Sequence, residues 1–199
     1  MFKSTVLAIC VVLVVGGVCV GGENPGAKVA VHAMVHSSKR SCTNLFPSIS
    51  SCFDVVYTLE TGDADCFPVF FSLEEYLGCE YGLTWPGTYS CAFTSCSDLT
   101  IGDIENPGDG VSHAWTSCQN DDIAIPGWAW IYEPDSARVC VVDHPESFGV
   151  SVLDCSEGLD GPAEDPFCAG IAGETGDDPC DDPVSSEAST WGKVKGLFR

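Results

Sequence analysis

The chain reads as an all-β protein, a two-sheet antiparallel sandwich of about eight or nine strands followed by an irregular, acidic, cysteine-containing tail. Three observations carry this reading. Apolar residues recur at a period of two, the mark of strands with one buried face. Gly, Pro, Asn and Asp divide these runs at short intervals. No amphipathic helical pattern lasts three turns between residues 23 and 155.

The elements follow in order. In Lys28–His36, Val29, Val31, Ala33 and Val35 share a face opposite Ala30, His32, Met34 and His36. A polar loop containing Cys42, Pro47 and Cys52 follows. Phe53, Val55, Tyr57 and Leu59 then alternate with Asp54, Val56, Thr58 and Glu60, which predicts another strand. After the acidic turn Thr61–Asp65, Phe67, Val69, Phe71 and Leu73 alternate with Pro68, Phe70, Ser72 and Glu74. Beyond Glu75, Leu77, Cys79, Tyr81, Leu83 and Trp85 line one face. These two runs predict adjacent strands of one sheet, ended by Trp85-Pro86-Gly87. Shorter runs at Leu99–Ile101, Val111–Cys118, Ile123–Glu133, Arg138–Asp143 and Phe148–Asp154 complete the sandwich, assigned to residues 23–155. Residues 156–190 are rich in Gly, Pro, Asp and Glu. They hold too little apolar surface to offset their ordering entropy and predict a tail tied down by Cys168 and Cys180.

Residues 1–22 have the pattern of a secretory signal, with Lys3 ahead of an apolar run from Val6 to Val20 that is short for a membrane span. Removing them takes Cys10 and Cys19 from the 13 cysteines of the chain and leaves eleven. That density in an exported chain implies an oxidising, extracellular or cell-surface location and a disulfide framework. Proximity along the chain favours pairing Cys42 with Cys52, Cys91 with Cys96, Cys140 with Cys155, and Cys168 with Cys180. An odd count leaves at least one thiol outside the framework. The formal charge is -21, and no Lys or Arg occurs between Arg40 and Arg138. Such a surface repels nucleic acid and anionic membranes, which bind by exchanging counterions for basic side chains. Cationic partners and divalent metals remain open.

Trp128, Trp130 and Tyr132 alternate on one predicted strand and project from one face, a row on which sugar rings could stack. Filling the core is their competing role. The carboxylates Asp177, Asp178, Asp181 and Asp182 are candidates for calcium, which takes oxygen ligands from loops, although they lack an EF-hand register. His32 and His36, four apart on a strand, lie ~13 Å apart and cannot share a metal. No serine-hydrolase elbow or zinc motif occurs. Acidic loop pairs such as Glu74-Glu75, Asp63-x-Asp65 and Asp121-Asp122 carry the alternative, an extracellular hydrolase. The primary expectation is a non-catalytic binding or surface-structural module, with an extracellular carbohydrate or protein as partner.

The last nine residues, Trp191-Gly192-Lys193-Val194-Lys195-Gly196-Leu197-Phe198-Arg199, reverse the charge sign. As a helix they would align Trp191, Val194 and Phe198 in one stripe, with Lys193, Lys195 and Arg199 outside it. Either display to a sorting receptor or docking onto the acidic domain fits this composition. With Tyr81-Gly82-Leu83-Thr84-Trp85-Pro86, Pro107-Gly108-Asp109-Gly110 and Asp154-Cys155-Ser156-Glu157-Gly158-Leu159-Asp160, the chain resembles a family of uncharacterised, cysteine-rich exported bacterial proteins. They end in Trp-Gly-x-Val/Ile-Lys-x-Leu-Phe/Tyr-Arg, and the resemblance implies export but no activity. More loosely, the predicted sandwich is similar to cohesin and carbohydrate-binding modules, at the level of fold alone.

Overall fold

A computed structural model describes residues 24–180 apart from 88–90, 134, 148 and 163–164. The expected signal segment 1–22, the residues Asp181 and Asp182, and the motif residues Trp191, Lys193, Lys195 and Arg199 lie outside the described residues.

Twelve strands occur among the described residues: β1 (Lys28–Val35), β2 (Asp63–Phe71), β3 (Tyr76–Thr84), β4 (Ala92–Ser95), β5 (Leu99–Gly102) and β6 (Gly110–Gln119), then β7 (Ile123–Ala124), β8 (Gly127–Tyr132), β9 (Ala137–Val142), β10 (Ser151–Leu153), β11 (Leu159–Asp160) and β12 (Ala169–Ile171). The first sheet runs β1-β2-β8-β4, with β7 also on β2. The second runs β11-β10-β3-β6-β5, and β9 joins it on β3 and carries β12. Every pairing between these strands is antiparallel. The expected two-sheet antiparallel sandwich is therefore present, with more strands than expected because several are only two to four residues long.

The runs at Phe67–Leu73 and Leu77–Trp85 are not neighbours in one sheet. They belong to β2 and β3, which lie in opposite sheets and face each other through the interior, where the Phe70 and Tyr81 rings are 5.9 Å apart. A connection too short for a crossover within one sheet here turns the chain from one layer to the other. The core between them takes Val29, Val31 and Ala33 from β1, Ala64, Cys66 and Phe70 from β2, and Ala129 and Ile131 from β8. Cys79, Tyr81, Leu83, Val111, Val139 and Val141 answer from the second sheet. A register shift between Tyr76 and Gly78 puts Tyr76 into this core and leaves Leu77 half-buried, off the face its alternation predicts.

Strand β2 is buried on both sides. Its other face, Phe67, Val69 and Phe71, joins Ala30, Val55 and Trp128 in a second cluster beneath Phe46, Ile49 and Tyr57. Pro68, which has no N–H to give, sits in the gap between the stretch of β2 paired with β8 and the stretch paired with β7. The expected strand at Phe53–Leu59 is absent. Cys52–Asp54 forms a 3-10 turn instead, because Asp54 accepts from the Ser50 and Ser51 backbone N–H groups at 2.8 and 3.0 Å and from the Ser50 hydroxyl at 2.7 Å. That leaves Phe53 85% exposed. The same hydrogen bonds hold the Asp54 carboxyl below its ordinary range.

The described residues beyond 155 are also more ordered than their composition predicts. Strand β11 pairs with β10 and β12 with β9. Phe167 bridges Ala30 in parallel, exchanging backbone bonds with Val29 and Val31 along the free edge of β1. Gly170 does the same with Tyr57 and Leu59. These short pieces borrow partners from established strands, so little apolar surface of their own is needed.

Among the described residues the disulfides are Cys42–Cys96, Cys52–Cys180, Cys118–Cys155 and Cys140–Cys168. All four expected pairings are thus incorrect, Cys118, absent from the expected set, is a bridge residue, and Cys91 is a thiol. Proximity in sequence failed because the sandwich brings together distant segments. Cys42–Cys96 ties the cover over β2 to the end of β4, and Cys52–Cys180 ties it to a residue 128 positions away. In the chain-entropy model each of these two wide loops contributes about 4 to 5 kcal/mol. Cys66, Cys79 and Cys91 are free. Burial raises all three thiols, Cys91 to about 12, so they stay protonated and unreactive in the folded state.

Two outcomes are expected. Reductant should lower the melting temperature by roughly 10 °C or more, and an unchanged melt would contradict the framework. Without reductant, residues 24–180 should titrate three thiols after denaturation and close to none before it.

Candidate functional site

Strand β8 inserts Ala129 and Ile131 into the core, so Trp128, Trp130 and Tyr132 all stand on the outer face, as their spacing requires. The three do not form one exposed row. Trp128 is only 5% exposed, against Phe67 at 5.7 Å and Phe46 at 6.2 Å under the covering loop. The cover ends there, and Trp130 and Tyr132 remain 39% and 52% exposed.

Trp130 is held in place by residues that the sequence reading did not assign to the site. The His36 ring stacks on it at 4.3 Å and 18°. The indole Nε1 donates to Asp63 Oδ1 at 2.8 Å. Behind this pair lies Asp65, fully buried and directly opposite Trp130 in the β2–β8 register. Its carboxylate meets His36 Nδ1 at 2.8 Å, and accepts from Arg40 Nε at 2.5 Å and the Ser37 N–H at 3.2 Å. Arg40 also donates to the carbonyls of Leu45 and Val35 and lies over the Phe67 ring at 5.3 Å. A buried carboxylate so fully satisfied ties the cover to the sheet and positions the imidazole. The signals were present: Asp63-x-Asp65 at period two, and Arg40 at the start of a long stretch without bases. Only strand register shows that they converge on Trp130. The result is a rigid aromatic surface with polar groups at its edge, able to stack a flat apolar face and accept or donate hydrogen bonds beside it.

The hydrolase alternative requires carboxylates converging in a concavity. A cavity of about 330 Å³ on the outer face of the second sheet is lined by Leu99, Ile101, Leu153 and Leu159, with Glu80 as its one carboxylate, and Glu80 accepts from Ser112. A cleft of about 480 Å³ has Glu74 and Asp122 on its lining, both exposed to solvent. Two carboxylates open to solvent lack the enclosed setting that such chemistry uses. His113 is buried beside the first cavity. Its Nδ1 is 2.8 Å from the Ser97 hydroxyl, and its Nε2 is 3.1 Å from the Tyr81 hydroxyl. A serine nucleophile needs an imidazole oriented by an acceptor such as a carboxylate. Here a phenol occupies that place, and burial lowers the imidazole to about 4, leaving it a weak base. This is a satisfied core histidine.

Of the calcium candidates, Asp177 accepts from Arg138 and from the Cys168 N–H at 3.0 Å. Asp178 accepts from the Cys180 N–H at 2.9 Å and the Tyr57 hydroxyl at 3.3 Å. Both act as acceptors that fix the turn leading to Cys180. Glu75, Cys118 and Cys155 also come within 4.8 Å of one another, but the two cysteines are bonded together and present no thiolate. No helix among the described residues is long and apolar enough to cross a membrane, which says nothing of a strand-built pore.

No family model matches the chain, and no curated protein matches it in sequence, so the resemblance drawn on the C-terminal motif gains no support there. Among solved structures it is similar to a type II cohesin domain from the cellulosome of Acetivibrio cellulolyticus. The TM-score is 0.43 and the identity 10%, over 74% of this chain and 96% of that one. A likeness so slight carries no argument about ligands.

His32 and His113 share a consequence. His32 Nδ1 accepts the Val56 N–H at 2.9 Å, and burial, with Arg40 adding to it, lowers the ring to about 4. Both rings bind protons more readily unfolded than folded, so acid favours unfolding. Stability should be complete above pH ~6.5 and fall as pH drops toward ~4, by on the order of 2–3 kcal/mol for each ring. Denaturant titrations across this window, with His113→Asn showing a shallower slope, check it; a flat profile would refute the burial of both rings.

Proposed function

We propose that this protein is an extracellular, non-catalytic binding module that holds a carbohydrate on the face formed by Trp130 and Tyr132. One observation carries the reading: Trp130 is exposed yet immobilised, stacked on His36 and hydrogen-bonded to Asp63, while the next aromatic on the same face has been buried. A large aromatic held open at the surface forgoes the stability that burial offers. Fixed before the ligand arrives, it loses little rotamer entropy on binding. A neutral ligand suits the site, since a chain of charge -21 would repel polyanions. The four disulfides fit an oxidising compartment outside the cytoplasm, to which residues 1–22 would direct the chain. No metal and no acid–base pair is called upon.

Affinity electrophoresis against a panel of neutral polysaccharides tests this. At least one should retard the wild type. Trp130→Ala should weaken retardation about tenfold, the ~1.4 kcal/mol of a lost stacking contact, and Tyr132→Ala by less, with melting temperatures near that of the wild type. If no polysaccharide is bound, or if Trp130→Ala binds like the wild type, the carbohydrate reading fails.

A further inference from the structure

We propose that the basic, aromatic segment Trp191–Arg199 seats in the cleft beside Cys180 as an intramolecular ligand of its own domain. The proposal is independent of the aromatic face on β8. Cavities of about 480 and 430 Å³ adjoin there, sharing Ser50, Asp122 and Ile123. Their lining is mixed: Ile49 of the covering loop, with Phe71, Ile123 and Ile125, sets apolar side chains among the polar ones. Three exposed acids, Glu74, Asp121 and Asp122, also line them, against one base, Lys28.

Two observations select the occupant. The first is where the described chain ends. Pro179 and Cys180 themselves line the cleft, and the Cys52–Cys180 bridge fixes them there. Residues 181–190 then tether the segment directly to the wall of the site, with a reach of about 33 Å fully extended and roughly 17 Å on average. A tether of that length gives an effective concentration on the order of millimolar, so even weak contacts would fill the cleft. The second is charge complementarity. Lys193, Lys195 and Arg199 concentrate three of the eight bases of the chain within nine residues, interleaved with Trp191, Val194, Leu197 and Phe198. Apolar side chains interleaved with positive charge match a cleft whose walls mix apolar side chains with acids. The cavity on the outer face of the second sheet offers a single carboxylate and receives no residue from the end of the described chain. A second copy of the protein would bring two strongly acidic surfaces together.

The test uses the chain from Glu23 onward, followed by hydrogen exchange and mass spectrometry. In Trp191→Ala/Phe198→Ala and in Lys193→Glu/Lys195→Glu, residues 46–52 and 121–125 should exchange several-fold faster than in the wild type, with β2 and β3 unchanged. Asp121→Asn/Asp122→Asn should give a partial loss of the same protection. A synthetic peptide of the sequence 191–199 should restore slow exchange to the first variant at submillimolar concentration and leave the wild type unaffected. Equal exchange in all four proteins overturns the proposal. So does a change confined to Leu99, Ile101 and Leu159, which would put the segment on the other sheet. Protection that vanishes on dilution together with a sedimenting dimer also overturns it, because the occupant would then be a second chain.

Discussion

Burial of β2 on both faces is the constraint from which the rest of this structure follows. A sandwich strand ordinarily turns one side to the interior and the other to water. Here Phe70 and Cys66 fill the space between the sheets while Phe67, Val69 and Phe71 point the opposite way. Three large apolar groups on an outer face would form a patch of the kind soluble chains avoid. The stretch from Ser37 to Tyr57 must therefore lie over them. It lacks a regular ladder of its own, so its hold comes from side chains and cross-links: the Asp65–Arg40 pair, the Asp54 turn, and bridges to Cys96 and Cys180. A buried ion pair is weak evidence of net stability, but losing one partner is costly. Removing either Arg40 or Asp65 would leave a charge stranded above Phe67.

The same cover defines what remains open. It reaches Trp128 and stops, so the outer face of β8 passes from interior to surface within three alternate residues. Trp130 stands at that boundary with His36, the first residue after β1, against it. The Trp130 ring is thus held by the residues that fasten the cover. Among the described residues the second sheet has no such lid. Leu99, Ile101 and Leu159 remain exposed around a shallow cavity there.

The architecture was legible wherever one face of a strand is buried and the other wet, because alternation then reports directly on the fold. Cys79–Trp85 is such a case, whereas in β1 the opposite residues Ala30 and His32 are buried too and Val35, on the expected core face, is exposed. Alternation misled at Phe53–Leu59, where local hydrogen bonds from Ser50 and Ser51 to Asp54 outcompete a ladder. It was silent on layer assignment, since β2 and β3 alternate alike whether paired side by side or stacked. Composition undersold the stretch after Asp154, because a two- or three-residue strand draws its order from its partner. Bridge partners were illegible in principle: spacing along the chain carries little information about spacing in a sandwich rich in distant contacts. Exposure of Trp130 but not Trp128 depends on where a loop happens to end, which no periodicity encodes.

The Cys52–Cys180 bridge bears on how such a molecule is made. A polypeptide emerging from its amino end presents Cys42 and Cys52 long before Cys96, and Cys180 last of these. Oxidation in order of emergence would join Cys42 to Cys52, a loop absent from the finished protein. Reaching the native set from that intermediate takes thiol–disulfide exchange. The yield of this protein in a heterologous host would then be governed by its isomerase supply more than by its oxidant.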